Sequence, residues 1–252
     1  IIHHNQRPLK AFPKEYVDNL IQQLESQGVE FHLDIDLKSV ESQDQRLKLS
    51  DNQNFEQVVD RVFVTAGRKP NDDALNLKNI GVQTDAGGIV VNQYLESTVD
   101  NIYAMGDVVS KQIAKLTPVA RFEARYLAKR LTGVTKDKIK YPAIPTVVYG
   151  MPKLAKVGVE LDEAQKYTDR YEIKTAEMTK WFTYSRLQDP FAKVSVIHER
   201  DTGKIVGAIT ISSEAEHLIN DLTMLINQGG TKNQIDNQIL AYPTEASDLS
   251  YM

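Results

Sequence analysis

The clearest candidate for chemistry in the sequence is the pair Gly106 and Asp107, which directly follows the apolar run Ile102–Met105. In open α/β sheets ligands bind where the strands end, and a glycine there permits close approach of a ligand. An ionised Asp at that edge accepts hydrogen bonds from ribose or ribitol hydroxyls. Two interpretations are open: the pair binds a ligand, or Gly106 only turns the chain and Asp107 caps a local loop.

A second candidate is the start of a predicted helix at Leu116, Thr117 and Pro118, ten residues further on. The first N–H groups of a helix have no partners within it, and this end carries roughly half a positive charge. An anion or an electron-rich ring edge is stabilised there. We predict that Thr117 caps the free N–H groups and that Pro118 takes the first helical position. A purely structural cap is the alternative interpretation.

Composition restricts the classes of function. The chain of 252 residues has 30 Lys and Arg against 34 Asp and Glu, and no basic run that would follow a phosphate backbone, so nucleic acid is not expected as a partner. No stretch approaches the ~18 apolar residues of a membrane span, so we expect no membrane association and a cytoplasmic protein. Without Cys, and with scattered His, no metal site is predicted, and any redox chemistry must come from a bound group.

The elements of the amino-terminal part follow a strand, helix, strand pattern. The chain opens on Ile1 rather than Met, and its first residues are typical of a strand already under way, so we expect that an N-terminal portion is missing. Apolar spacing predicts a helix over Pro13–Gln27, followed by a short strand, Val29–Leu33. Val58–Ala66 is nearly continuous in apolar and β-branched residues, which predicts a strand buried on both faces. Together they favour a parallel sheet.

The carboxy-terminal part has a different pattern, and we place a domain boundary near residue 141. Four runs have strand composition: Thr146–Tyr149, Tyr171–Thr179, Phe191–His198 and Ile205–Ile211. Asp201–Lys204 is typical of a hairpin turn, so an antiparallel sheet is predicted. A helix over Glu214–Gln228 and a shorter one opened by the capping-box pair Thr231 and Gln234 follow.

Four motifs occur in the order and spacing of one known family: Ala66–Asn71, Asn101–Asp107, Leu116–Ala120 and Ile144–Val148. The chain thereby resembles the glutathione reductase branch of the flavoprotein pyridine nucleotide-disulfide oxidoreductases over essentially its whole length. The resemblance implies an α/β plus α+β fold, with partial Rossmann-like nucleotide-binding domains before an antiparallel-sheet dimerisation domain with helices. It implies the end of an NAD(P)-binding domain at 1–67, a return segment of the FAD-binding domain at 68–141, and a dimerisation domain at 142–252.

The function that the resemblance implies is hydride transfer from a nicotinamide to flavin and then to a small disulfide substrate, in a homodimer formed through 142–252. The glycine motif for FAD, the redox-active Cys pair and the nicotinamide-binding turn would all precede Ile1. The fragment alone is therefore predicted to be inactive, although an intact enzyme would be an FAD-dependent oxidoreductase that acts with NAD(P)H.

The resemblance also implies roles for individual residues of the flavin site. Asp107 would accept a hydrogen bond from the FAD ribitol, and Gly106 would admit the cofactor. The backbone at Leu116 and Thr117 would face the pyrimidine edge, where a helix end stabilises negative charge that develops on reduction. Two further residues would lie near the join of the nucleotide domains, namely Gly67 and Arg68.

Three basic residues indicate which nicotinamide nucleotide is bound and where the substrate lies. The chain has no carboxylate before Glu15 to hold the ribose hydroxyls of NAD. The NADP-binding pattern of the family places basic residues at His4 and Lys10, so NADP is predicted and NAD remains possible. A solvated basic loop is the other interpretation. Arg125 takes the position of an Arg that lies near the disulfide substrate in glutathione reductases, or it is a solvated residue on a helix face.

The carboxyl terminus departs from the family pattern. Disulfide reductases of this family have a His-Pro-Thr motif, with a Glu five residues after the His, as the acid–base for the thiol. Here Tyr242 takes the His position and Ser247 the Glu position. A phenol with a pKa of about 10 is a poor proton shuttle near neutral pH.

Three interpretations of this departure are open. The thiol acid–base is impaired or supplied differently, or the protein resembles the soluble NAD(P) transhydrogenases, which share Tyr-Pro-Thr at this point and exchange hydride without a redox disulfide. In a third interpretation Tyr242 is only a stacked aromatic at the dimer interface. The isolated chain could also be an inactive dimerisation module.

Overall fold

The computed structural model describes residues 1–252, and their contacts divide them into two units. One unit comprises 1–63 together with 143–252, and the other comprises 64–142. The amino-terminal elements of the first unit are β1 (Ile2–His3), α1 (Lys14–Ser26), β2 (His32–Leu33), β3 (Ser39–Gln43), β4 (Arg46–Ser50) and β5 (Glu56–Val59).

The predicted helix over Pro13–Gln27 is confirmed as α1, which begins after Pro13 and buries Tyr16, Val17 and Leu20. The expected parallel pairing is limited to two short strands, β1 and β2, which align Ile2 with His32. Strands β3, β4 and β5 form an antiparallel sheet of their own.

The strand predicted over Val58–Ala66, buried on both faces, is wrong. Strand β5 ends at Val59 and pairs only with β4, and the residues that follow form no strand. The side chains of Phe63 and Val64 are 85% and 81% exposed. An apolar run becomes a strand only where neighbouring strands satisfy its N–H and C=O groups, and no strand of this chain lies beside 60–66.

The second unit has little regular structure before its helix. Its elements are two 3₁₀ turns (Asp73–Leu75 and Leu77–Ile80), β6 (Thr84–Asp85), β7 (Gly88–Ile89), a third 3₁₀ turn over Gly106–Val108 and α2 (Thr117–Leu131). The expected strand Ile102–Met105 is not formed, since its only ladder contact is a single bridge between Tyr103 and Glu96. As for Val58–Ala66, the apolar composition is present but the neighbouring strands are not. A small apolar core fills this unit, with Val82, Ile89, Ala104 and Val109 buried.

The antiparallel sheet predicted for the carboxy-terminal part is confirmed. The elements are β8 (Thr146–Val148), β9 (Lys153–Gly158), α3 (Leu161–Lys166), β10 (Tyr171–Glu177), α4 (Phe182–Ser185), β11 (Lys193–Glu199), β12 (Ile205–Ser212), α5 (Ala215–Gln228) and α6 (Lys232–Asp236). The strand order is β10-β11-β12-β9-β8, with every neighbour antiparallel. Strand β9 was not predicted, because its two lysines interrupt a short apolar run. The capping box of Thr231 and Gln234 is present at α6.

Both faces of this sheet are covered by helices of the same unit. Helix α5 packs on β9 and β12 through a core that includes Leu218 and Leu222. Helix α1 covers the other face, where Val17 packs with Ile209 and Ile211. Alternate residues of β12 thus point to opposite helices, as the period of two in a strand requires. No helix in the structure combines the length and the apolar character needed to cross a membrane.

Candidate functional site

The turn that carries Gly106 and Asp107 lies against helix α2. Gly106 has a φ of +74°, in the left-handed region that favours glycine, and a Cβ atom built on it would lie 3.3 Å from the Cβ of Ala120. Glycine is thus favoured both by the backbone conformation and by the close packing of the turn on the helix. The turn thus places Asp107 next in the chain to a residue that packs on the first turn of α2.

The Asp107 carboxylate is accessible. Its side chain is 40% exposed, and its Oδ2 atom accepts a hydrogen bond from the Arg68 guanidinium at 2.6 Å. The structure therefore brings together two residues that the sequence placed 39 positions apart. The Lys115 Nζ atom donates to the main-chain oxygens of Asp107 (2.7 Å) and Gly87 (2.6 Å). The Asp107 main chain is held in place, while its carboxylate has one exposed partner.

The start of α2 offers free N–H donors. Leu116 precedes the helix in an extended conformation, and Thr117 is already its first residue, with Pro118 second. The predicted side-chain cap by Thr117 is wrong: no side chain caps this helix, because Thr117 lies inside the first turn rather than before it. The N–H groups of Thr117 and Val119 have no acceptor in the chain, whereas that of Ala120 bonds to Leu116. An electron-rich ligand edge is stabilised at such an end.

A residue that the sequence analysis missed, Glu123, links the turn to the helix. Its side chain is fully buried on α2, and its carboxylate accepts three hydrogen bonds, from the Gly106 N–H (2.6 Å), Lys111 Nζ (2.5 Å) and the Tyr141 hydroxyl (2.7 Å). Burial, with Glu123 beside it, raises the pKa of Tyr141, so the phenol stays a donor. The available sequence signal was a carboxylate in the buried stripe of α2, between Val119 and Leu127.

The remaining predicted residues of this unit are exposed. Gly67 lies in an open loop, and its φ of +139° is a backbone conformation that residues other than glycine rarely adopt. Arg125 lies on α2 with no hydrogen bond or ion pair in the chain. Because residues two apart on a helix point to nearly opposite sides, Arg125 faces away from the turn that Glu123 contacts. The structure does not bring Arg125 to the Asp107 carboxylate.

In the other unit, the predicted nicotinamide residues His4 and Lys10 meet at one side chain. The Asn5 amide oxygen accepts a hydrogen bond from Lys10 Nζ at 2.8 Å, and its nitrogen lies 2.7 Å from His4 Nε2. Arg7, also in this loop, donates to the main-chain oxygens of Lys10 and Phe12. His4 and Lys10 are both exposed, so the loop presents two neighbouring basic groups to solvent.

The Tyr242 ring stacks on Phe182, with ring centroids 6.1 Å apart and an angle of 21° between the planes, and it is 64% exposed. Ser247 does not orient it, because the Ser247 hydroxyl donates to the Thr244 carbonyl at 2.6 Å and accepts from the Thr244 N–H. The neighbouring Asp248 is buried, and burial raises its pKa. Tyr242 thus has an aromatic partner and no carboxylate partner.

Two open cavities lie apart from these residues. One, of about 500 Å³, is lined by Tyr149, Met151 and Leu187 among others, and another, of about 550 Å³, lies beside Tyr94 and Arg130. No predicted site residue lines either cavity. The candidate site is therefore defined by its polar groups, which lie on an open surface of the chain.

Comparison with known proteins assigns most of the chain to one family. Residues 1–124 match the model described as pyridine nucleotide-disulphide oxidoreductase, and residues 144–251 match the dimerisation domain of the same family. The chain therefore belongs to the pyridine nucleotide-disulphide oxidoreductase family. Its members use FAD and a pyridine nucleotide.

Among individual relatives, an uncharacterised 19.7 kDa protein in a mercuric resistance operon of Staphylococcus aureus is 37% identical over 179 residues, which are 71% of this chain and 99% of that protein. Glutathione reductase of Yarrowia lipolytica is 31% identical over 77% of this chain and 42% of the enzyme. Glutathione reductase of Burkholderia cepacia is 26% identical over 98% of this chain and 55% of the enzyme. The chain spans about half the length of these reductases.

Solved structures share the fold over the whole chain. The HOCl-induced flavoprotein disulfide reductase RclA of Escherichia coli, in its Cu(II) complex, superposes with a TM-score of 0.91 at 22% identity, over 100% of this chain and 58% of that one. LpdA of Mycobacterium tuberculosis superposes with a TM-score of 0.90 at 18% identity, over 99% and 54%. The predicted fold class and family resemblance are confirmed.

Proposed function

We propose that this chain holds the ribitol and the pyrimidine edge of FAD in an NAD(P)H-dependent oxidoreductase similar to glutathione reductase. The residues present fit such a group. Asp107 offers an accessible carboxylate to a hydroxyl, Gly106 has no side chain in the way, and the first turn of α2 has free N–H donors. The exposed carboxylate of Asp107, on a turn that packs against Ala120 in the first turn of α2, carries the proposal.

The chemistry of each group follows from its charge. FAD, when bound, supplies the two-electron chemistry between a nicotinamide and an acceptor. Asp107 accepts a hydrogen bond from the cofactor and fixes its orientation. The main chain at Leu116 and Thr117 provides a fixed positive potential where negative charge develops, and a preformed dipole needs no reorganisation during the reaction.

Three segments of the chain are assigned to three functions. Residues 1–67 bind the nicotinamide nucleotide, 68–141 belong to the flavin site, and 142–252 form the dimer. Gly67 and Arg68 lie at the join of the first two segments.

The experiment that tests the flavin site is substitution of Asp107 in the complete gene product that contains this chain. D107A is expected to lower the FAD content of the purified protein at least several-fold, because the ribitol loses its acceptor. Asp100 is also exposed and makes no hydrogen bond, so D100A is the matched control and is expected to retain normal FAD content. Normal FAD content in D107A would contradict the proposal.

We propose NADP as the nicotinamide nucleotide, held by the His4 and Lys10 pair. A lysine ammonium beside a second basic side chain suits the additional phosphate of NADP, and the loop has no carboxylate to bind the ribose hydroxyls of NAD. Lys10→Ala is expected to raise the KM for NADPH about tenfold and to leave the KM for NADH nearly unchanged. A lower KM for NADH than for NADPH in the unaltered enzyme would overturn this assignment.

We propose two candidate electron acceptors, a small disulfide and a second nicotinamide nucleotide. The surroundings of Tyr242 bear differently on the two. Reduction of a small disulfide, with Arg125 near the substrate, requires an acid–base for the thiol, and Tyr242 lacks the carboxylate partner for that role. Hydride exchange between nicotinamide nucleotides requires none, so the stacked Tyr242 favours a transhydrogenase-like reaction as the second candidate. Rates with glutathione disulfide and with thio-NAD⁺ as acceptors of electrons from NADPH distinguish the two.

The oligomer we propose is a homodimer through residues 142–252. The match of residues 144–251 to the dimerisation domain of the family supports this. Exposed aromatic residues, Tyr242 and Phe182 among them, are available for a contact between subunits. The isolated chain is then a dimer without turnover. Light scattering at micromolar concentration tests this, and a monomer would contradict it.

A further inference from the structure

A buried carboxylate lies just behind the proposed flavin site without reaching its surface. Glu123 is on α2, less than two turns after Thr117, and its side chain is fully buried. A buried charge is tolerated only where it is paired and hydrogen-bonded, and all of the donors that satisfy Glu123 come from outside α2. Such an arrangement fixes other segments to the helix.

The two carboxylate oxygens of Glu123 bind different segments. Oε2 accepts the N–H of Gly106 at 2.6 Å, and the φ of +74° at Gly106 sets the direction in which the chain continues to Asp107. This hydrogen bond therefore holds the Met105–Gly106 peptide group, and Gly106 is the residue directly before Asp107, which would contact the ligand. A charged acceptor makes it stronger than a bond between neutral groups.

The other oxygen fixes the surroundings of the turn. Oε1 accepts from Lys111 Nζ at 2.5 Å and from the Tyr141 hydroxyl at 2.7 Å. The Lys111 side chain is itself only 9% exposed, so the ion pair is shielded from solvent. Lys111 follows Asp107 by four residues and Gly106 precedes it directly, so the chain is held on both sides of Asp107.

We propose that Glu123 is a positioning residue of the flavin site, which aims Asp107 by holding the N–H of Gly106. It acts through Asp107 and does not contact the cofactor itself. This inference depends on the proposed function, since it assigns a role within the same site. It predicts that the effect of Glu123 on flavin binding is lost when Asp107 is absent.

The test is the FAD dissociation constant of the complete gene product, measured with E123Q, D107A and the double variant. E123Q is expected to weaken FAD binding at least tenfold and to change the visible circular dichroism of the bound flavin, because the turn is no longer held in one orientation. The double variant is expected to bind no more weakly than D107A alone, since two substitutions that act through one contact are not additive. E96Q, which removes a carboxylate from an ion pair with Arg130 elsewhere in the same unit, is the control and is expected to remain within threefold of the unaltered protein.

The outcomes separate the two proposals. If D107A weakens binding but a folded E123Q binds within twofold of the unaltered protein, or if the two effects are additive, the positioning role is wrong and the flavin site remains. If D107A itself binds FAD normally, the proposed function fails and the positioning role fails with it. Should E123Q not fold, E123D replaces it under the same criteria, because it keeps the charge and withdraws the oxygens by one methylene group.

Discussion

The guanidinium of Arg68 lies 2.6 Å from the Asp107 carboxylate, and both side chains are substantially exposed. Ion pairs between exposed groups are screened by solvent and contribute little to stability. A ligand hydroxyl can therefore replace or join Arg68 as a partner of Asp107 at small cost. The pair keeps the carboxylate in place and leaves it available.

Arg68→Ala is expected to have almost no effect on folding. The free energy of unfolding should change by less than about 1 kcal/mol, because the ion pair it removes is exposed. Urea unfolding of the chain, followed by circular dichroism, measures this. A loss of about 3 kcal/mol or more would show instead that the ion pair stabilises the fold of its unit.

Lys111→Met is expected to behave in the opposite way. It removes the cationic partner of Glu123 and leaves a buried carboxylate without its counter-charge, which costs about 3–5 kcal/mol in comparable sites. The same urea measurement applies, and Lys69→Met is the control, because Lys69 forms an exposed ion pair with Asp73. Equally small changes in the free energy of unfolding for the two variants would mean that the ion pair of Glu123 contributes little to the stability of this unit.

Asp248→Asn is expected to change the pH dependence of stability. Burial raises the pKa of Asp248 from its ordinary value of 3.8, so the folded chain holds the proton more tightly than the unfolded chain. The contribution of this group to stability is therefore complete below pH 3.8 and is lost as the pH rises through the higher pKa of the folded state.

The expected result follows from that sign. D248N removes the ionisation. The urea midpoint of D248N minus that of the unaltered chain should therefore increase from pH 4 to pH 7. Asp169, which is exposed, provides the control variant D169N. A constant difference between D248N and the unaltered chain over this range would refute the expected linkage.

Tyr242→Phe is expected to retain activity of the complete gene product within about twofold. The ring stacks on Phe182 and the hydroxyl has no hydrogen-bond partner in the chain, so the phenol is not set up to transfer a proton. Steady-state rates with NADPH measure this, with Tyr242→Ala as the variant that also removes the stacked ring. A tenfold or larger loss in Y242F would assign the hydroxyl a catalytic role.

Local signals in the sequence predicted the helices and turns well. The apolar period of α1 and the capping pair Thr231 and Gln234 depend only on residues within a few positions, and the structure confirms both. The strands expected over Val58–Ala66 and Ile102–Met105 failed, because a strand depends on partners elsewhere in the chain. Apolar composition alone does not reveal whether those partners are present.

The same distinction applies to the candidate site. Gly106 and Asp107 were singled out because they directly follow the apolar run Ile102–Met105, and the motif order indicated the family. Glu123 was missed, since a carboxylate on a helix is usually solvated, and its burial is decided by the segments that pack on α2. The pairing of Arg68 with Asp107 likewise depends on how two distant loops meet.

The most direct test of the flavin site is a crystal structure of the complete gene product with FAD bound. We expect a ribitol hydroxyl within about 3 Å of an Asp107 carboxylate oxygen and the pyrimidine edge of the flavin at the first turn of α2. FAD bound elsewhere in the protein, with Asp107 still paired only with Arg68, would contradict it.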